Sequence, residues 1–574
     1  MGTPLMNQTG IQLRGKFQSL INGLHFRRIC YVFIFILGLL SSLGIFFRTQ
    51  FLTHFGIVFG DRADGLIEIS ILEHWRNVFL GVSPWMRTLF FYPARDTLGY
   101  NDGYFIYGVI FSIWRGIGIN PFISSDLTNI VIKIIGFVSF FLISFRIFRC
   151  PLPIGVLFSM IFTLTNSTYV NAYHAQLLSV SFAPLITILA YEFIKSAPSN
   201  KFKSCLIGCF LAILFDCWLI STFYTIWFFV YGSSICFFIF LLLNIKNTNI
   251  FNELLIWAKE SFIPIAVTIP TLIIGIIPFW HVYHFTSRAV GMHPLSEVQS
   301  YLPSLIDIIN VGPNNIVYGH FITSLSLFLG DSLPIQGEKV MGLPFGILLL
   351  SIIFIIKTMK NRKLENKLII SLAIGVPISW FITISFYGHN VWRLLYKYFP
   401  GAVAVRVISR YELFLSFPLT IFAMLGFYFL FKNKNTPLYI LLGVIVSGFL
   451  ITEEINRGWP LGLMPHTEML RLQQIGVPPK NCKVFYVLNS RNGEMYGDAG
   501  TDSIYGNNVD AMIIAEYFRL PTINGTDSFM PPGWNINGYR YPDYKNKIDG
   551  YINKNNIKNI CSLDLYRMVW KNTP

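Results

Sequence analysis

The chain has 574 residues, of which 53% are hydrophobic, 16% aromatic and only 13% charged, and its formal net charge is +15. A soluble globular protein carries roughly 25% charged residues, so water is not the only solvent this chain meets. The positive charge does not imply nucleic acid, because Lys and Arg stand in short clusters between apolar runs and not along one amphipathic stripe.

At the start, Arg14, Lys16, Arg27 and Arg28 lead into a long apolar run with no small-residue cleavage site, so the first span is expected to stay. Runs close to the ~20 residues that cross a bilayer then recur. We expect eleven spans: 29–47, 129–146, 152–166, 177–194, 204–218, 221–244, 261–280, 342–357, 368–386, 411–431 and 436–452. With a cytoplasmic N-terminus, the inner connections collect eighteen Lys and Arg, among them Arg362, Lys363 and Lys434, while the turns near 167–176 and 219–220 carry none. The C-terminus then lies outside.

This topology leaves outer segments at 48–128, 281–341 and 387–410, and a tail from 453 onward. In the tail, strand-like Lys483–Ser490, helix-like Asp510–Leu520 and the Gly/Pro/Asn-rich stretch Asn524–Asn535 read as a small α/β domain outside the membrane. The expected fold is therefore mainly α: a polytopic transmembrane helical bundle over 1–452 with a small C-terminal α/β domain over 453–574. Six of the eight cysteines lie in or beside apolar segments and show no metal-ligand spacing. The other two, Cys482 and Cys561, sit at strand-like segments; they form either a disulfide or two buried thiols.

The first outer segment opens with GDRADGLIEISILEHW, and on a helix Asp61, Asp64 and Glu68 would share one face. Carboxylates this close raise one another's pKa, which suits a general base, although an exposed acidic face has the same spacing. Next comes FFYPARDTLGYNDGYFIYG, where Tyr92 and Asp102 belong to a mixture of aromatic and polar residues that fits a sugar surface or an interfacial aromatic belt. The turn NAYHAQLLS offers His174 and Gln176 as hydrogen-bonding groups, or as structural ones. The last outer segment places Arg393, Arg406 and Arg410 where positive-inside bias disfavours them, so they need a partner. Arg406 and Arg410 are one helical turn apart and could share a phosphate; lipid headgroups or ion pairs are the other reading.

Those stretches, with PGAVAVRVISRYELF and INGTDSFMPPGWN, resemble the GT-C class of membrane glycosyltransferases, and more narrowly its bacterial members that modify surface polysaccharide such as O-antigen. The resemblance covers about a fifth of the chain, spread in order along nearly all of it. It implies a multi-pass protein of the bacterial inner membrane, acting on the periplasmic face. The implied donor is a polyprenyl-phosphate sugar carrying a hexose such as glucose, and the implied acceptor is a polysaccharide or lipid-linked glycan.

Asp61 or Asp64 would be the catalytic carboxylate, Arg406 and Arg410, with Arg393, would hold the donor phosphate, and Glu68, Tyr92, Asp102, His174 and Gln176 would meet sugar or acceptor. No cofactor is required. The chain has Asp-x-x-Asp where metal-dependent oligosaccharyltransferases have a compact Asp-x-Asp, so a divalent cation is allowed but not implied. A flippase or other transporter is the alternative from a different class, but would want its charges inside the spans, where only Lys133, Glu192 and Asp216 stand. A polysaccharide polymerase shares the topology without needing the tail. An O-acyltransferase rests only on His281, His284, His293 and His320.

Overall fold

The computed structural model describes residues 28–361, 366–386, 388–432, 436–458, 462–491, 499–536 and 538–572. Arg14, Lys16, Arg27, Arg362, Lys363 and Lys434 lie outside the described residues.

Helices dominate, and among the described residues eight are long and apolar enough to cross a membrane. They are Arg28–Phe46, Pro121–Ile147, Leu152–Val170, Ala175–Ser196, Lys201–Ser221, Phe223–Asn244, Phe262–Val290 and Arg410–Phe431. The other three expected spans are also helices, Phe345–Lys360, Lys367–Thr383 and Pro437–Thr452, but have only 16, 17 and 16 residues. At 1.5 Å per residue these reach roughly 24–26 Å, about a turn short of a ~30 Å hydrocarbon layer. Local chemistry fixes several starts: Asn120 accepts a hydrogen bond from the Ile123 N–H and Pro121 takes the first helical position, where its missing N–H costs nothing.

The helix Phe262–Val290 overruns the expected boundary at 280 by ten residues. Its internal Pro270 and Pro278 did not stop it, because a membrane-crossing helix tolerates proline through local adjustment of its hydrogen bonds. The extra three turns carry His281, Tyr283 and His284 outward as helix and not as loop.

In the first outer segment, the helix Asp64–Phe79 is buried along twelve of its sixteen residues. It packs between the helix Phe105–Gly116 and the tail helix Ala499–Phe518. Close approach to the former requires Gly108, where a Cβ would come within 2.5 Å of the Trp75 ring.

The tail holds a three-stranded sheet in which Val484–Val487 pairs in parallel with Ile560–Asp564, and that strand pairs antiparallel with Val569–Asn572. Cys482 and Cys561 form a disulfide with Cα atoms 5.5 Å apart. The tail is stitched to the first outer segment. Tyr92 N–H donates to the Thr522 carbonyl (2.8 Å), Phe91 N–H to that of Asn524 (3.0 Å), and Asn77 Nδ2 to Glu516 Oε2 (2.9 Å). The boundary region near 453 is likewise buried: Glu453 accepts from Tyr318 Oη and the Gly346 N–H, both at 2.9 Å, and Glu454 accepts from the Asn166 N–H at 2.6 Å.

Candidate active site

Segments far apart in sequence meet at one cavity of about 480 Å³, within the range of small-ligand sites. Asp64, Asp102, His174, Gln176, Glu338, Arg406 and Arg410 line it, together with an aromatic wall from the outer end of Phe262–Val290 and with Ser528 and Phe529 of the tail. The outer segments therefore stand on one side of the bundle.

The acidic turn is built by its backbone. The strand Val58–Phe59 pairs with Gly462–Leu463 of the tail, and the chain then reverses at Gly60, whose φ of +116° excludes a side chain. Asp61 Oδ1 accepts from the N–H groups of Ala63 and Gly65, both at 2.9 Å, and so satisfies donors at the start of the helix. Because the helix begins only at Asp64, the expected three-carboxylate face does not form. Asp61 is a cap outside the cavity lining. Glu68, a turn further on, is buried and accepts from Ser125 Oγ and the Ala175 N–H, both at 3.3 Å. Burial pushes its pKa up to about 8, leaving it a neutral packing residue near pH 7 and not a sugar contact.

Asp64 is the carboxylate that faces the cavity, with 44% of its side chain exposed. Surrounding protein raises its pKa to about 6, and the Asp61 charge adds to this while Arg410 and Arg406 oppose it. It is thus ionised at neutral pH yet more basic than an ordinary Asp. His174 stands between two acids, with Nδ1 3.6 Å from Asp64 Oδ2 and Nε2 3.7 Å from Glu338 Oε1. Burial and then the Arg410 charge lower its pKa to about 3, so the imidazole is neutral. Asp102 accepts from the Phe223 N–H at 3.2 Å, and burial lifts its pKa to about 7.

The two cavity arginines differ. Arg410, buried at the first turn of its helix, grips Glu338 with both arms of its fork, Nε to Oε2 at 2.9 Å and Nη2 to Oε1 at 2.5 Å. Glu338 would be pushed up by burial, but the guanidinium outweighs this and holds its pKa below the usual value. Arg406 lies in the non-helical link before that helix, so the two are not stacked one turn apart as expected. Its side chain is 37% exposed and its nearest acid is Glu297, at 3.7 Å.

Two further expected residues stand elsewhere. Arg393 is exposed on the short helix Trp392–Tyr398, away from the cavity lining, because that helix turns Trp392 inward. Tyr92 lies where the first segment pairs with the tail, and its ring sits under Arg87, 5.1 Å from the guanidinium. Sequence reasoning missed Glu338, Glu297 and the tail residue Asp527, which burial lifts to about 8 and which hydrogen-bonds Asn101. The only signal for Glu338 was that a buried arginine must find an acid.

Both oxygens of Glu338 are taken by Arg410, and among the described residues no three His, Cys, Asp or Glu side chains converge to hold a metal ion.

The apolar helices and the polar cavity among the described residues are those of a multi-pass membrane protein. No family model matches the sequence, and no curated protein matches it significantly. Solved structures similar to it include the oligosaccharyltransferase of Archaeoglobus fulgidus. In complex with zinc and sulfate, that protein aligns over 92% of this chain and 67% of its own at 10% identity, with a TM-score of 0.51. Its apo form covers 93% of this chain and 69% of its own at 10% identity and a TM-score of 0.47; the form tethered to an acceptor peptide containing the NVT sequon gives the same coverage and identity at 0.48. At one residue in ten, the likeness is one of fold.

Proposed function

We propose that this protein is a GT-C type membrane glycosyltransferase that moves a hexose from a polyprenyl-phosphate donor to a surface polysaccharide such as O-antigen, on the periplasmic face of a bacterial inner membrane. The observation that carries the reading is a single cavity holding an elevated-pKa carboxylate, Asp64, and a half-exposed guanidinium, Arg406, beside a membrane-crossing helix. The similar fold of an oligosaccharyltransferase supports glycosyl transfer as the class of chemistry.

In this reading Asp64 takes the proton from the acceptor hydroxyl as that oxygen bonds to the anomeric carbon. The bond from that carbon to the donor phosphate oxygen breaks, and its electron pair leaves with the polyprenyl phosphate. One displacement inverts the anomeric configuration. Arg406 meets the charge growing on the phosphate, a preorganised contact of the kind worth about 3 kcal/mol in a transition state. Arg410 acts mainly through Glu338 and Asp64, and Asp102, Asn101, His174 and Gln176 offer hydrogen bonds to sugar hydroxyls.

The test is transfer from a polyprenyl-phosphate hexose by purified Asp64→Asn protein. Loss of about 100-fold or more in kcat with normal membrane insertion is expected. Undiminished transfer would remove the base from this turn.

A further inference from the structure

We propose that His293 is a second phosphate-binding group of the cavity, acting beside Arg406 as an imidazolium on the phosphate of a prenyl-phosphate donor. The proposal rests on the donor reading given above and adds to it a residue for the leaving phosphate.

The helix Phe262–Val290 stops at Gly291, whose φ of +82° a side chain would oppose and whose N–H closes on the Ser287 carbonyl at 3.0 Å. The chain turns there, and His293 lines the cavity in the link to the helix Leu295–Ser300. Its ring and backbone are held from several sides. Nδ1 lies 3.2 Å from Glu297 Oε2, Tyr396 Oη donates to the His293 carbonyl at 2.7 Å, and the Phe529 ring of the tail covers the imidazole with 4.6 Å between centroids.

The other oxygen of Glu297, Oε1, is 3.7 Å from Arg406 Nη1. One carboxylate thus stands between an imidazole and a guanidinium and brings both to the same part of the cavity. The same segment steadies the link that carries the arginine: Ser409 N–H donates to the Tyr301 carbonyl at 3.0 Å, and the Arg406 guanidinium stands 5.7 Å from the Tyr301 ring. Because Nδ1 faces Glu297, Nε2 is the nitrogen left for a ligand, and among the described residues nothing bonds it. His174 differs, with an acid near each of its ring nitrogens.

Burial lowers the His293 pKa below the ordinary value, Glu297 raises it and Arg406 lowers it, and these are the charges that act on it. Near pH 7 the imidazole is therefore mostly neutral, and a phosphate arriving at Nε2 supplies the second anion that draws a proton onto the ring from solvent. His293 then stands between two anions. Its charge counts for more as the donor bond breaks, because the departing phosphate gains its second negative charge at that moment.

The experiment adds farnesyl phosphate, a short prenyl monophosphate, to the full-length protein carrying nitrogen-15 histidine, in nanodiscs of zwitterionic lipid near pH 7. It reads the imidazole nitrogen signals and the affinity. One histidine signal is expected to move into the imidazolium range on binding. It should be the signal that His293→Gln removes, and that variant should bind about tenfold more weakly. The movement should survive in the double variant His174→Gln with His284→Gln, which removes the other two cavity histidines; if His293→Gln does not insert, the double variant decides alone. Binding with no histidine moving, undiminished affinity in His293→Gln, or a moving signal lost with His174 and His284 overturns the proposal and leaves the donor reading standing. An equal response to inorganic phosphate at the same concentration makes this a site for free phosphate and overturns it too. Failure of the wild type to bind farnesyl phosphate would sink the donor reading itself, and the proposal with it.

Discussion

Arg406→Ala and Arg410→Ala should fail in different ways, although both remove a cavity cation. Arg410 is the stronger of the two in lowering the Asp64 pKa, and it is the one that hydrogen-bonds Glu338, whose charge raises that pKa. Removing it takes away a cation and uncovers an anion, so the Asp64 pKa rises from about 6 by roughly one unit or more. Asp64 must be ionised to act as a base, so the acid limb of the pH–kcat profile moves up with it. For a one-unit rise the loss from this cause approaches about tenfold at pH 5 and below, is about fivefold at pH 6 and about twofold at pH 7, and above pH 8 activity returns toward that of the wild type. Arg406→Ala removes charge from where the leaving phosphate would sit, so its loss is about 100-fold and persists at every pH. Glu338→Gln removes a neighbouring anion and should move the limb to lower pH. The assay is initial-rate transfer from a polyprenyl-phosphate hexose between pH 5 and 9, with membrane insertion checked for each variant. An Arg410→Ala limb that stays in place, or Arg406→Ala turnover that recovers at high pH, would refute the division of labour.

The tail supplies two further tests. Asp510 would be pushed up by burial, but Arg471 and Arg491 outweigh this and hold its pKa at about 2, below its unfolded value. That stability is fully present above roughly pH 4 and is lost as pH falls through 2; a difference of this size is worth on the order of 2 kcal/mol. Asp510→Asn should therefore weaken the tail at neutral pH and flatten its acid sensitivity, read by pepsin cleavage between pH 4 and 2; identical acid profiles would argue against it. For the disulfide, thiol labelling of denatured, unreduced protein should miss Cys482 and Cys561. Their separation of 79 residues predicts that reduction costs about 4 kcal/mol by chain entropy, and labelling of both would show that the bridge is absent.

Much of the bundle was legible because an apolar run of about 20 residues has few alternatives to a membrane helix. What length could not show was where helices overrun the hydrocarbon, as Phe262–Val290 does, or fall short of it, as Pro437–Thr452 does. In the tail, the strand character of Val484–Val487 and Ile560–Asp564 was readable, but their parallel pairing depends on the helices that join them. The three-carboxylate face failed for a local reason. Helical spacing holds only inside a helix, and this one starts at Asp64, which leaves Asp61 free to cap it.

The unreadable part of the site is its partners. Arg410 could be singled out because an arginine at the outer end of a span is rare, and rarity in one dimension is a sequence property. Which acid answers it is not, since Glu338 lies 72 residues away in a segment with no distinguishing pattern. The same holds for Lys133, buried inside a span, whose Nζ donates to the Thr163 carbonyl at 3.0 Å and to Thr168 Oγ1 at 2.9 Å. In an apolar chain each buried charge must be met, so a lone charge signals that a partner exists. Its identity is set by packing, and that explains why six of the ten expected site residues line one cavity while the acid that organises it had to be found in the fold.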